Sequence, residues 1–196
     1  MAGIVIDGID LAGKSSIACA LAESIGHASV VESPQCQFRS VLQASTPSLS
    51  LMARLALYIS ANIELGRDFS NSRQLIIAVR YFPSTIAYHA VARHEAPSDC
   101  MRALDYLIQH CRLPDALIIV EASHQERVKR AAAIDSLLSE SDHWTLHGDV
   151  HAGLTQAFRE IANSISVPVL ILDTTERASI DASEAALDWL RAIGLV

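Results

Sequence analysis

Apolar positions along this chain fall into two kinds of pattern. Short unbroken runs rich in Ile and Val occupy 4–6, 29–31, 75–79, 117–120 and 167–172. Runs without polar alternation suit strands buried on both faces, as in a parallel sheet. Between them lie longer segments with helical spacing, which predict helices near 14–25, 48–66, 99–111, 124–140, 149–165 and 181–193. Strands and helices in alternation imply an α/β architecture with helices on both faces of one sheet. Ligands of such sheets sit at the carboxyl ends of the strands. No repeat, long linker or Gly/Ser-rich spacer interrupts the pattern, so residues 1–196 are expected to form one domain.

Composition narrows the function classes. At 51% hydrophobic, the chain has enough apolar surface for a core, and low-complexity disorder is excluded. A formal net charge of -7 argues against a non-specific nucleic-acid binder, which needs a basic face. An anion site must therefore be local, built from backbone N–H groups and a few placed cations. The opening residues are too short and too lightly charged for an export signal. Charged residues interrupt every candidate membrane span. A cytoplasmic protein without a membrane partner is expected. Cys19, Cys36, Cys100 and Cys111 form no C-x-x-C pair and are expected to be buried free thiols.

The first strand leads directly into Gly8-Ile9-Asp10-Leu11-Ala12-Gly13-Lys14-Ser15, a complete G-x-x-x-x-G-K-S motif with a helix after it. Its glycines let backbone N–H groups turn inward, and the following helix points its positive end at phosphates. Lys14 is expected to reach the β- and γ-phosphates of ATP, and the Ser15 hydroxyl to meet Mg²⁺. Gly8, Ala12, Gly13 and Ser16 complete the cradle, and Asp10 lies within it beside the reacting phosphates. The N-K-x-D motif of guanine readers is absent. A small metabolite kinase fits best.

Further residues resemble the thymidylate kinases. The segment 4–16 is similar to the start of that family, and Arg80-Tyr81-Phe82-Pro83-Ser84-Thr85-Ile86-Ala87-Tyr88 is similar to its D-R-Y/H-x-x-S-T-x-A-Y segment. Ser60-Ala61-Asn62, Leu113-Pro114-Asp115, Glu126-Arg127-Val128-Lys129-Arg130 and Asp173-Thr174-Thr175 resemble its S-A-N-R helix, its entry to the fourth strand, its lid helix and its adenine-side loop. The resemblance implies a three-layer P-loop kinase fold with a five-stranded parallel sheet and a short lid near 130–150. It implies ATP with Mg²⁺ as cofactor and a small-molecule phosphate acceptor across the cleft. Arg80 would hold the acceptor's phosphate, because a planar guanidinium matches two phosphate oxygens. Asp10 would lie near the acceptor's sugar hydroxyl. Pro34, Tyr58, Ser84 and Tyr88 would line the acceptor pocket, while Arg130 and Thr174 would sit on the ATP side. Lys14, Arg80 and Asp10 would carry catalysis by positioning and charge neutralisation. The apolar helix near 49–65 would adjoin a homodimer contact.

The sequence also departs from the family. Val79 replaces the Asp before the arginine, Ile63 replaces the Arg after S-A-N, and Ile59 stands at the position of the base-stacking aromatic. Leu11 replaces a P-loop Arg, and Ala131-Ala132-Ala133 stands where lids carry arginines. Glu121, ending the fourth strand, is a candidate to supply the carboxylate missing at Val79 and to bind the metal. Three functions remain open. The acceptor is a nucleoside monophosphate, with dTMP or a close analogue first; or it is a non-nucleotide metabolite; or the chain binds nucleotide without turnover. His143, His147 and His151 recur every four residues, but Gly148 is expected to break their helix, so solvated histidines are expected rather than a metal site. His89 faces either the acceptor pocket or solvent.

Overall fold

A computed structural model describes residues 3–45, 49–134 and 138–196, without the side chains of Cys36, Gln43 and Ser45. Five strands are β1 (Gly3–Gly8), β2 (Ala28–Glu32), β3 (Leu75–Val79), β4 (Ala116–Glu121) and β5 (Val169–Asp173). They form one parallel sheet in the order β2-β3-β1-β4-β5. The helices are α1 (Lys14–Ile25), α2 (Cys36–Ser45), α3 (Leu51–Asn71), α4 (Phe82–Arg93), α5 (Pro97–Ala103), α6 (Asp105–Ile108), α7 (His124–Ala133), α8 (Glu140–Thr145), α9 (Gly148–Ser164) and α10 (Ser179–Ala192).

Strand side chains alternate between faces, so each central strand feeds two cores. Val5, Ile76, Ala78, Leu117 and Ile119 pack against residues of α3, α4 and α9. Ile4, Ile6, Ile77, Ile118 and Val120 pack against α1 and α10. Unbroken apolar runs are the sequence signature of this double burial. The outer strands β2 and β5 are largely half-buried, as edge positions allow. The predicted three-layer arrangement is present.

Several predicted bounds need correction. The strand expected from 167 begins at Val169 because Pro168 has no N–H to give the ladder; its carbonyl accepts from Leu117 instead. The helix expected over 99–111 divides into α5 and α6 at Leu104, whose φ of -107° and ψ of 9° leave the helical region. The helix expected over 124–140 ends at Ala133, and α8 starts afresh from a capping box between Ser139 and Asp142. Residues 135–137 of the expected lid, and residue 48 of the helix expected over 48–66, lie outside the described residues. Cys100 and Cys111 are buried as expected, whereas Cys19 is exposed on α1. No described helix is long and apolar enough to cross a membrane.

Candidate active site

The loops at the carboxyl ends of β1, β3, β4 and β5 converge on residues 8–15. β1 delivers the chain to Gly8, whose φ of 133° and contact with the Val120 carbonyl leave no room for a Cβ. Leu11 and Gly13 also have positive φ, 66° and 97°, which wraps the loop before α1 begins. Lys14 is 6% exposed, and its ammonium donates to the Ile9 carbonyl at 2.7 Å. Burial pulls its pKa down to about 8, against the opposing pull of the Asp7 carboxylate. The Ser15 hydroxyl opens toward the end of β2, 3.4 Å from Glu32 Oε1. Ser16 is exposed, and Ala12 is buried under the loop.

Asp7, inside β1, is a residue that the sequence reading missed. It is fully buried and accepts from the amides of Gly8, Tyr81 and Ser84 at 2.8, 3.1 and 3.0 Å, and from the Ser84 hydroxyl. Burial pushes its pKa up, and the Ser84 bond and the cations Arg80 and Lys14 pull it down. The carboxylate joins the P-loop strand to the start of α4. A charged residue in an otherwise apolar strand was the available signal, because a buried carboxylate needs this many donors.

Arg80 follows β3 with a φ of 69°, a left-handed conformation that a non-glycine residue holds only against a cost. That turn aims the guanidinium at the P-loop. It pairs with Asp10, lies 5.2 Å from the Tyr88 ring centroid and donates to the Ser84 hydroxyl at 3.4 Å. Tyr88 donates to the other Asp10 oxygen at 2.7 Å and accepts from the Asp10 amide at 3.2 Å. Thus Asp10, Arg80, Ser84 and Tyr88 do come together. Burial and the positive field of Arg80 act oppositely on the Tyr88 phenol, and burial prevails, raising its pKa.

The residues expected on the acceptor side come from the end of β2, from α3 and from α4. Pro34 is half-buried just beyond β2. Ser33 donates to Asn62, which donates to Thr85 at 2.9 Å. Tyr58 stands one turn before Asn62 on α3, 36% exposed. Ile59 belongs to the core, and Ile63 packs against it. Both positions that would read a base in the resemblance are therefore committed to packing.

The opposite wall carries two arginines with different duties. Arg130 donates to the carbonyls of Leu11 and Thr174 at 3.1 and 2.7 Å, and to Glu126 at 3.0 Å. The Thr174 hydroxyl, beneath it, donates to the Ala12 carbonyl at 2.9 Å. Arg130 and Thr174 thus meet at the P-loop. Arg127, which sequence reading did not single out, is fully buried. It donates to the Asp10 carbonyl at 2.6 Å, to the Thr145 carbonyl and hydroxyl at 2.8 Å, and to His151 Nδ1 at 3.0 Å. It ties the P-loop to α8 and α9. A basic residue in a charged helix gives no sequence sign of burial. Glu121, expected to help bind the metal, has both its oxygens held by Arg159, at 2.8 and 2.6 Å. Metal binding by Glu121 would require that fork to open. The three periodic histidines do divide at the helix break, with His143 in α8, His147 before α9 and His151 within it.

Residues 6–183 match the sequence model of the thymidylate kinase family. A thymidylate kinase of Candida albicans, described as revealing the origin of broad substrate specificity, aligns with a TM-score of 0.77 at 19% identity, over 98% of this chain and 92% of that one. A thymidylate kinase of Ehrlichia chaffeensis aligns at 0.70 and 17% identity, over 97% and 98% of the two chains. No curated protein matches the sequence. At these identities the two structures establish the fold.

Proposed function

This chain belongs to the thymidylate kinase family, an ATP-dependent phosphotransferase family, and we propose that it moves the γ-phosphoryl group of ATP to a nucleoside monophosphate, dTMP or a close analogue first. The observation that supports this is that Lys14, at the end of the loop after β1, and Arg80, directly after β3, both follow the carboxyl ends of paired strands. Two cations so placed suit two phosphate groups that must meet in line.

Each cation is held by the protein's own oxygens, Lys14 by the Ile9 carbonyl and Arg80 by Asp10. ATP phosphates would take Lys14 from Ile9, and the acceptor phosphate would take Arg80 from Asp10. Released, Asp10 is free to accept from the acceptor's sugar hydroxyl, and Tyr88 keeps it in place. Arg130 and Thr174 lie on the nucleotide side and keep the loop in its wrapped form. No side chain forms a covalent bond with either reactant. The site suits Mg²⁺ with one protein oxygen, the Ser15 hydroxyl, since this ion keeps several waters and takes phosphate oxygens. Asp7 is not offered to it, because four donors already fill its oxygens. When bound with ATP, the ion neutralises phosphate charge.

The test is ADP release from Mg·ATP with a panel of ribo- and deoxynucleoside monophosphates, free nucleosides and small alcohols. Turnover is expected with a monophosphate, and Lys14→Ala should lower it by about 100-fold or more. Turnover with a free alcohol alone would replace the acceptor assignment by the non-nucleotide kinase. ATP binding without any turnover dependent on Lys14 would replace it by a nucleotide-binding role, the function favoured by Val79 and the alanines at 131–133.

A further inference from the structure

Away from the cleft, α4 and α5 meet in a sharp corner. α4 ends with His94 in the left-handed region, φ 56°, whose amide returns to the Ala90 and Val91 carbonyls. The Glu95 amide also returns to the Ala90 carbonyl, at 2.9 Å. Pro97 then starts α5, and Cys100 arrives one turn later. This backbone course brings together three side chains of different chemistry: His89, Glu95 and Cys100. Their donor atoms all lie within 4.8 Å of one another. No other trio of His, Cys, Asp or Glu donors is so close among the described residues.

We propose that His89, Glu95 and Cys100 form a binding site for one divalent cation of the zinc class. The donor set is the first argument. A thiolate, an imidazole and a carboxylate select a borderline-soft ion and leave Mg²⁺ to the phosphate site. The second is burial. His89 is 8% exposed and Cys100 4%. The third is the arrangement of Glu95. Its Oε1 is held by Arg93 Nε at 2.6 Å, while Oε2 is turned to Cys100 Sγ at 3.6 Å. Oε2 can therefore ligate while Arg93 keeps orienting the carboxylate through the other oxygen, as outer partners of metal ligands do.

Bond lengths of ~2.0–2.3 Å in a tetrahedral site put ligand atoms ~3.3–3.8 Å apart. Glu95 Oε2 and Cys100 Sγ already have that spacing, so it is the His89 ring that must draw in by about 1 Å, within reach of side-chain rotation. The Cys100 S–H bond breaks as the sulfur–metal bond forms, and the proton leaves to solvent. Thiolate and carboxylate then cancel the ion's two charges, leaving a neutral cluster in a largely buried corner. Arg93 and Asp99 are the other charged groups beside it. Glu95, more than a third exposed, opens the fourth position to water. The bound ion would staple the end of α4, the helix that carries Ser84 and Tyr88, to α5.

Cobalt(II) is the probe, added to the nucleotide-free full chain in which Cys19 and Cys36 are replaced by Ser. One equivalent should give a thiolate-to-metal charge-transfer band in the near ultraviolet and raise the thermal midpoint. Cys100→Ser should abolish the band, and Cys111→Ser should keep it. His89→Gln and Glu95→Gln should each weaken binding by at least about tenfold. Circular dichroism checks that each variant is folded. No band, a band that survives Cys100→Ser, or an affinity unchanged in both His89→Gln and Glu95→Gln would overturn the site. None of these readouts involves phosphoryl transfer, so they stand apart from the kinase assignment.

Discussion

Asp7 shows how much one buried carboxylate can organise. Its two oxygens serve two amides from the β3–α4 corner, the Gly8 amide and the Ser84 hydroxyl. Asp7→Asn would turn an NH₂ group toward donors, leaving at least one buried N–H without an acceptor. A loss of about 2–4 kcal/mol is expected, against about 1 kcal/mol for Ser84→Ala, which removes a single donor. Urea midpoints at constant m-value check both. Equal losses would mean that the amides of Tyr81 and Ser84 do not depend on Asp7. At this scale the sequence was half legible. Lys14, Asp10, Arg80, Ser84 and Tyr88 are legible from motif and resemblance, and Asp10, Arg80, Ser84 and Tyr88 do cluster. Asp7 and Arg127 escaped because a residue's charge does not tell which way a strand or helix turns it. The departure at Val79 was legible as a missing carboxylate, but not its surroundings: Val79 lies in the core shared with α1 and α10.

At the scale of elements, the strands were legible because burial on two faces writes itself as an apolar run. Helices were legible where one apolar face was long, as in α1, α9 and α10, and not where the chain turns tightly. The stretch 99–111 has helical spacing, yet the amides of His110 and Cys111 bond three residues back. Turns and short helices present the same apolar positions. The α3 helix offers a test of element packing. A Cβ on Gly66 would stand 2.6 Å from the Tyr81 hydroxyl and 2.9 Å from the Arg112 amide nitrogen. Tyr81 is pinned by its bond to the Arg112 carbonyl at 3.0 Å and cannot swing away freely. Gly66→Ala should destabilise by about 1–3 kcal/mol. Gly148→Ala, where the new Cβ meets nothing within 4 Å, should be neutral or stabilising by up to about 1 kcal/mol. Thermal unfolding of the pair separates contact from helix propensity; equal midpoints would refute the close approach at Gly66.

For the whole molecule, Arg127 links the P-loop to α8 and α9. It donates to His151 Nδ1, which must be unprotonated to accept. Burial first, then the charges of Arg127 and His124, lowers the His151 pKa. An unfolded histidine takes up its proton near pH 6.5, whereas the folded one resists it. The unfolded state therefore gains protons first, and stability falls as pH drops below about 6.5. His151→Gln keeps an acceptor for Arg127 without a titrating ring, so its urea midpoint should vary less across that window. A variant that loses stability on acidification as steeply as the wild type would remove His151 from this account. Sequence periodicity could list three histidines but could not say that one of them faces a buried arginine.

The Arg80–Asp10 pair has a kinetic meaning. With the acceptor phosphate on Arg80, as proposed above, Asp10 would act as a tethered competitive inhibitor at a fixed effective concentration. A dianionic phosphate head group can outcompete it, because it brings more charge and a bidentate fit to the guanidinium. A neutral hydroxyl cannot. On that proposal the protein's own carboxylate would set a threshold that filters acceptors by charge.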